Sequence, residues 1–262
     1  MKKDITVIIT LYKTPLNRLR TLNQYKNFKV IIFAQGEDKY YQNIIKKYSV
    51  INFEYFFSKN NIGLSKATNY LISKVKTKYF LFTQADIFID DKSIQFLKDA
   101  FKYRDNLIFT GPSFKNKRER GFQIKTNLHA ACMLCDTKKT KKIGFFDEDF
   151  FLYWEDVFLM RKINMSKFKM LLTKKAIAKH LSGASSTNNN KVKFIRNFNF
   201  KYGEYLYDFK TKRFRYIKLL RQLFQSMFFF ILYCLFLNKN LAIKNIAYFL
   251  GIIKFIIYCL KK

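Results

Sequence analysis

Four short apolar runs, separated by helical or polar segments, constrain this chain more than any other feature. Ile5–Leu11, Val30–Ala34, Ile51–Phe57 and Tyr79–Thr83 are rich in β-branched or aromatic residues and read as strands. Pro15 to Tyr25 reads as a helix, with Thr14 as N-cap and Pro15 at the first helical position. A second helix is expected from about Leu64 to Val75, directly after Asn-Asn-Ile-Gly. Strands alternating with helices specify an α/β fold, a Rossmann-like, mostly parallel central sheet with flanking helices on both faces. In such sheets ligands bind beyond the carboxyl ends of the strands. Thr10, Gln35 and Asp86 lie near three such ends, so three separate segments converge on one rim.

The chain has 262 residues, enough for one large domain or one domain with a helical extension. Hydrophobic residues at 49% and aromatics at 19% exclude a disordered chain. The net charge of +32 admits nucleic acid, an anionic membrane face or a polyanionic substrate as partner. The excess of Lys, Asn, Ile, Phe and Tyr is also what an AT-rich coding genome would give, so compositional drift is a further reading of part of that charge. Charge alone speaks for a basic nucleic-acid-binding protein; without a helix-turn-helix, zinc or RNP-type pattern, no nucleic-acid partner is expected. Four cysteines suit a reducing compartment. Cys132 and Cys135 form a C-x-x-C with no second pair at zinc spacing, so Ala130–Cys135 reads as a buried strand. The N-terminus enters a strand at once, which places the expected location on the cytoplasmic side.

Carboxylates are scarce, yet five of the 18 fall between Asp147 and Asp156. Glu155 and Asp156 enter a helix expected near Asp156 to Ile163, where the helix dipole favours negative charge. Beside Phe150, Phe151, Tyr153 and Trp154 the same pair also suits a general base on an aromatic floor for a sugar ring. Asp86 closes an apolar strand, as a turn cap or as a ligand for Mg²⁺ or Mn²⁺ completed by phosphates. Asp90-Asp91 reads as a cap of the following helix. His180 ends a run of short strands and is either structural or a metal ligand beside Asp86; His129 reads as core or as a residue behind the site. Asn61-Ile-Gly63, before its helix, offers backbone N–H groups to a diphosphate, or simply starts the helix. Ser182–Asn190 is either a mobile lid or a solvated connection.

After Lys191 the composition shifts. Residues 1–190 are expected to form one domain and 191–262 a basic, hydrophobic helical extension. Leu223–Leu237 as a helix spans about 22 Å, short of a hydrocarbon core of roughly 30 Å. With Leu241–Leu260 it reads as a helical hairpin turning at Asn238-Lys239-Asn240, which lies in or dips into a membrane interface, packs as core on the domain or a second subunit, or crosses the membrane as a pair. The preceding basic stretch favours an anionic membrane surface.

In order and spacing these pieces resemble the family 2 glycosyltransferases of the GT-A fold, and within them the rhamnosyltransferase-like members. The resemblance runs from about Ile5 to Ser185. It is carried by Thr10-Leu-Tyr12, Asn61-x-Gly63-x-x-x-Ala67-x-Asn69, Gln84-Ala-Asp86, Gly144-Phe-Phe-Asp-Glu, Tyr153-Trp-Glu155-Asp156 and His180-x-x-Gly183-x-Ser185. It implies an inverting, metal-dependent glycosyltransferase that uses a nucleotide-sugar donor, a dTDP- or UDP-sugar. Thr10, Tyr12, Gln35, Asn61, Gly63, Asn69, Gln84 and Asp86 would bind the donor. Asp86 and His180 would hold Mg²⁺ or Mn²⁺. Asp156 would be the catalytic base, with Glu155 as acceptor-orienting partner or alternative base, and Tyr153 and Trp154 would meet the acceptor. Gln84 stands where the family's Asp-x-Asp element begins, and Gln35 where many members carry an Asp; a catalytically silent glycan-binding relative is the alternative these departures raise. The implied acceptor is a lipid-linked or surface glycan of lipopolysaccharide, capsule or O-antigen type, met at the cytoplasmic face of the inner membrane.

Overall fold

Side-chain alternation along the strands builds the two faces of the sheet. In the computed structural model, β1 (Ile5–Tyr12) sends Val7 and Ile9 into one buried cluster and Ile8 into the other. In β2 (Lys29–Gln35), Val30 and Ile32 face one side while Ile31 and Phe33 face the opposite one. This period of two, apolar on both faces, is what a strand between two helical layers requires. The described residues are 4–115, 119–181 and 189–262. Gly183, Ser185 and most of the Ser182–Asn190 stretch, with positions 116–118 of the basic loop, lie outside them.

The described chain divides into two compact units, Met1–Asp147 with Leu159–Thr187, and Glu148–Phe158 with Asn188–Lys262. In the first, α1 (Leu16–Leu19) tightens into a 3₁₀ turn over Arg20–Tyr25. Pro15, not Thr14, occupies the N-cap, and no side chain caps this helix. The order continues with α2 (Tyr41–Tyr48), β3 (Phe53–Ser58), α3 (Leu64–Lys74), β4 (Tyr79–Thr83), β5 (Ile87–Ile89), α4 (Asp91–Ala100), β6 (Leu107–Ser113), β7 (Phe122–Lys125), β8 (Cys132–Asp136), α5 (Thr137–Ile143), α6 (Glu155–Asn164) and β9 (Lys169–His180). Sheet order is β3-β2-β1-β4-β8-β6-β9-β5, with β7 also on β9. The first four strands are parallel, whereas β8, β7 and β5 run antiparallel to their neighbours. Leu22, Tyr25, Ile45, Ile94 and Leu97 cover one face, and Ala67, Leu71, Leu159 and Ile163 the other. Each leucine or isoleucine among them contributes about 1.5–3 kcal/mol by leaving water.

The short strands anticipated before Ala178 are one twelve-residue strand, β9. Its first part pairs with β6 and β7 and its last three residues with β5, so a single strand serves both parts of the sheet. Asp90 is the N-cap of α4, accepting from Ser93 N at 2.6 Å.

The second unit consists of α7 (Asn190–Lys210), α8 (Tyr216–Leu235), α9 (Lys239–Leu260) and the segment from Glu148 to Phe158. Its core joins Phe150 to Tyr202, Tyr205 and Leu206 of α7, Leu219 of α8, and Ile252 and Phe255 of α9. α8 begins at Tyr216, seven residues before the apolar run at Leu223, because Ile217, Leu219 and Leu220 extend the helical pattern through the basic positions. At 1.5 Å per residue its length is about 30 Å, not the 22 Å of the apolar run alone. By length and composition both α8 and α9 are apolar enough to cross a membrane. Ile217, Leu220, Phe224, Phe228, Ile231 and Leu235 are all exposed and share one face of α8.

Gly251 fixes how closely α9 approaches α7. A Cβ there would stand 2.6 Å from the Phe198 carbonyl oxygen and 3.2 Å from Tyr202 N, both backbone atoms that cannot swing aside. Gly251→Ala is expected to destabilise the helical unit by about 1–3 kcal/mol through overpacking. Thermal unfolding of the variant measures this, and an unchanged melting temperature would show that the helices are not packed this closely.

Candidate functional site

Parallel strands of similar length place their carboxyl ends side by side. Tyr12 is in register with Gln35, Gln35 with Ser58, and Ile9 with Thr83, so β1 to β4 end on one rim. Thr10 lies two residues before the end of β1. Gln35 is buried and its Oε1 accepts from Ile62 N at 3.0 Å, tying β2 to the Asn61-Ile-Gly63 turn. In that turn Asn61 Oδ1 accepts from Gly63 N at 3.0 Å. Gly63 is the N-cap of α3 at φ +90°, a conformation in which a side chain is strained. Asn69 has a task of its own: its Nδ2 donates to Phe146 O at 2.9 Å and its Oδ1 accepts from Phe146 N at 3.2 Å. The amide thereby clamps the corner after Gly144.

Gln84, Ala85 and Asp86 form the turn from β4 to β5, closed by Ile87 N donating to Gln84 O at 3.2 Å. The 3₁₀ turn after α1 holds this segment in place. Thr21 Oγ1 donates to Ala85 O at 2.5 Å, Gln24 Nε2 donates to Ile87 O at 2.8 Å, and Gln24 Oε1 accepts from Ile89 N at 2.8 Å. Neither Thr21 nor Gln24 stands out in the sequence, because their role depends on partners more than 60 residues away.

Antiparallel pairing of β5 with the end of β9 sets Ile87 opposite His180. It brings together two residues that are 94 positions apart: His180 Nε2 stands 3.5 Å from Asp86 Oδ2. Asp86 is fully buried, and among the described residues neither carboxylate oxygen has a hydrogen-bond donor; His180 Nδ1 is likewise buried and unpartnered among them. His129 joins them. Its ring meets His180 edge to face at 5.1 Å and packs on Phe114 at 4.3 Å, while its Nδ1 accepts from Ala131 N at 3.3 Å. That the chain has only two histidines was the one available hint that both would meet here.

A buried carboxylate without donors costs several kcal/mol unless a cation compensates it. The orphaned oxygens of Asp86 and the imidazole beside them are therefore suited to a hard divalent cation. Among the described residues no group of three or more His, Cys, Asp or Glu side chains is placed to hold a metal ion. A cation at Asp86 would draw its other ligands from phosphate oxygens and water, the coordination Mg²⁺ and its relatives favour. Expected consequences are measurable. Mn²⁺ should raise the melting temperature of the wild-type protein, by an amount equivalent to about 2.7 kcal/mol at a hundredfold excess over Kd. Asp86→Asn should abolish that rise without lowering the metal-free melting temperature, since the oxygens it alters accept no hydrogen bond among the described residues. A variant that melts well below wild type without metal would make Asp86 a structural residue.

In the second unit, Tyr153 and Trp154 adopt consecutive left-handed conformations, φ +68° and +71°. Each costs roughly 1–3 kcal/mol, offset by Trp154. Its Nε1 donates to Phe200 O at 3.0 Å and its ring lies 5.3 Å from Tyr207 and 5.7 Å from Phe200. Gly203 makes room, since a Cβ there would lie 2.9 Å from Trp154 Cδ1. The turn leads into α6 and leaves Glu155 5% exposed, with Oε2 unpartnered. Burial, reinforced by the neighbouring Asp156, pushes the Glu155 carboxyl up to about 8. Asp156 is half-buried, and its Oδ1 accepts from Val157 N at 2.8 Å at the start of α6.

Between the ordinary value of 4.5 and about 8, folded Glu155 keeps a proton that the unfolded chain has released. Stability contributed by this group is therefore full below about 4.5 and lost as pH rises toward 8. Glu155→Gln should flatten this decline and unfold at a higher temperature than wild type near pH 8. Parallel melting curves for the two proteins would show that Glu155 is ionised in the folded state throughout.

The doubly covered sheet, with a carboxylate just beyond the end of its fourth strand, fits a GT-A-like α/β fold. Residues 6–171 match the model of Glycosyl transferase family 2, and the chain belongs to that family. Among solved structures, it is similar to mannosyltransferase PcManGT from Pyrobaculum calidifontis in complex with GDP-Man and Mn²⁺. That match has a TM-score of 0.54 at 13% identity and covers 76% of this chain and 62% of that one. TarS of S. aureus, as its 1–349 fragment, matches at TM-score 0.53 and 12% identity over 94% of this chain and 90% of that one. A longer TarS chain matches at TM-score 0.50 and 14% identity, over 78% of this chain and 42% of that one. At these identities the likeness is one of fold. No curated protein matches the sequence.

Proposed function

We propose that this glycosyltransferase moves a sugar from a nucleotide-sugar donor to a hydroxyl of a glycan acceptor, with inversion at the anomeric carbon. The observation that carries the reading is Asp86, whose buried, donor-free carboxylate lies beside His180 on the rim where ligands of such sheets bind. The donor diphosphate would lie along that rim, near the Asn61-Ile-Gly63 turn and the N-terminus of α3. Asp86 and His180 would hold Mg²⁺ or Mn²⁺, which when bound supplies positive charge against the departing diphosphate. The PcManGT complex, with a nucleotide sugar and Mn²⁺ bound, supports this assignment of donor class and cation.

Asp156 is the proposed base. It would accept the proton of the acceptor hydroxyl as that oxygen bonds to the anomeric carbon, while the bond from this carbon to the diphosphate oxygen breaks on the opposite face. Glu155 is less suited to that task near neutral pH, because burial favours its protonated form, which has no lone charge to receive a proton. As an acid it can instead donate a hydrogen bond that orients the acceptor. Tyr153 and Trp154 carry the acceptor-binding proposal, although the Trp154 indole is already committed to Phe200 and Tyr207. The exposed apolar stripe of α8 supports membrane association. A lipid-linked or surface glycan acceptor at the cytoplasmic face of the inner membrane is part of the proposal.

A screen of dTDP-, UDP- and GDP-sugars for Mn²⁺-dependent donor hydrolysis tests the reading, and a preference for dTDP-rhamnose would support the rhamnosyltransferase-like assignment. Asp86→Ala and Asp156→Asn should each lower transfer by at least about a hundredfold, the usual worth of a positioned acid or base. Full turnover in Asp156→Asn would move the base elsewhere. Binding of glycan with no turnover of any donor would favour the catalytically silent alternative.

A further inference from the structure

The helical unit contains a second polar enclosure, made without Asp86 or Asp156. A pocket of about 280 Å³ lies between α7, α8 and α9, lined by Lys201, Gln222, Gln225, Tyr233, Lys244 and Tyr248 among others. No carboxylate lines it. Lys201 and Lys244 come from different helices and place their ammonium groups 4.9 and 5.5 Å from the centre of one ring, that of Tyr248. Lys201 is largely buried, and its Nζ donates to Glu204 Oε2 at 2.7 Å and to Gln222 Oε1 at 3.1 Å. Gln222 Oε1 also accepts from Tyr205 OH at 2.8 Å, which fixes the amide and the ammonium together.

The local charge does not balance. Glu204 is shared between Lys201 and Lys218, and Lys218 also meets Asp208 at 2.9 Å. Three lysines, counting Lys244, thus stand against two carboxylates, and Lys244 forms no ion pair among the described residues. Two lysines lining one pocket and packed on one ring, with amide and hydroxyl groups around them, offer several donors and an excess of positive charge. The pocket is also bounded by Phe229 and Leu241, so a charged group bearing an organic substituent fits better than a bare ion. Pocket-lining Gln222, Gln225, Phe229 and Tyr233 occupy the face of α8 opposite the exposed apolar stripe of Ile217, Phe224 and Ile231. α8 therefore turns an apolar stripe outward and the uncharged side chains of Gln222, Gln225 and Tyr233 to the pocket, whose cations come from α7 and α9.

We infer that this pocket binds a phosphate-bearing group, a phosphate monoester or diphosphate, between Lys201 and Lys244. Such a group can arrive as a lipid headgroup or as a free phosphate compound, and the two sources are separable. The full-length chain is prepared in an uncharged detergent with Asp86→Ala in the background and EDTA present, so that the proposed donor site does not report. Titration with inorganic pyrophosphate tests the free form. Co-sedimentation with phosphatidylcholine vesicles, with and without phosphatidic acid, tests the headgroup. Saturable binding in either arm is expected, weakened about tenfold or more by Lys244→Gln and retained in Lys244→Arg, in keeping with the loss of a charge-assisted hydrogen bond. Lys244 is exposed on α9, so its replacement leaves the core of the unit intact. Binding in neither arm, or binding equal in Lys244→Gln and the parent, would overturn the proposal while leaving the sugar-transfer reading untouched.

Discussion

A carboxylate buried without a hydrogen-bond donor persists only where the surrounding backbone is fixed for other reasons. Among the described residues Asp86 has no donor, and its backbone is fixed in this way. β4 is central in the sheet, hydrogen-bonded on both sides by β1 and β8. Past its end, Thr21 and Gln24 bind the backbone of Ala85, Ile87 and Ile89, and Asp86 O accepts from Leu181 N at 3.0 Å. The side chain is thus left no local escape into solvent or toward a donor. Strain of this kind, once stored by the fold, is available for cation binding.

The two carboxylates at the start of α6 illustrate how neighbouring residues of like charge are driven apart in behaviour. The left-handed pair Tyr153-Trp154 turns the chain so that Glu155 is buried and Asp156 is not. Burial and the adjacent charge both disfavour ionising Glu155, so it holds its proton well above the ordinary carboxyl range. The energy that keeps the turn comes from Trp154, seated against α7 through one hydrogen bond and two ring contacts and admitted by Gly203. The sole tryptophan is therefore a structural anchor for the acidic segment, whatever else its ring touches.

Much of this was legible in the chain itself. Short apolar runs separated by helical segments specified the α/β sheet and its rim, because period-two burial and strand-end geometry are local properties. Asp90 as a cap, the buried Cys132-Cys135 strand and the α6 start followed from the same local chemistry. The apolar run at Leu223 underestimated α8, since Lys218 and Arg221 mask a helical pattern that Ile217 and Leu219 continue.

Tertiary structure alone decided the rest. That β9 runs unbroken for twelve residues and delivers His180 to Asp86 depends on pairing with β5, β6 and β7, and no spacing within the segment encodes it. The convergence of His129, the support from Thr21 and Gln24, and the clamp by Asn69 are all contacts across tens of residues. So is the grouping of Glu148–Phe158 with the C-terminal helices. Sequence determined which residues could carry charge, cap a helix or fill a core, because those traits belong to single side chains and near neighbours. It did not determine which carboxylate would be stripped of partners, because burial and isolation are properties of the surroundings that only the folded chain creates.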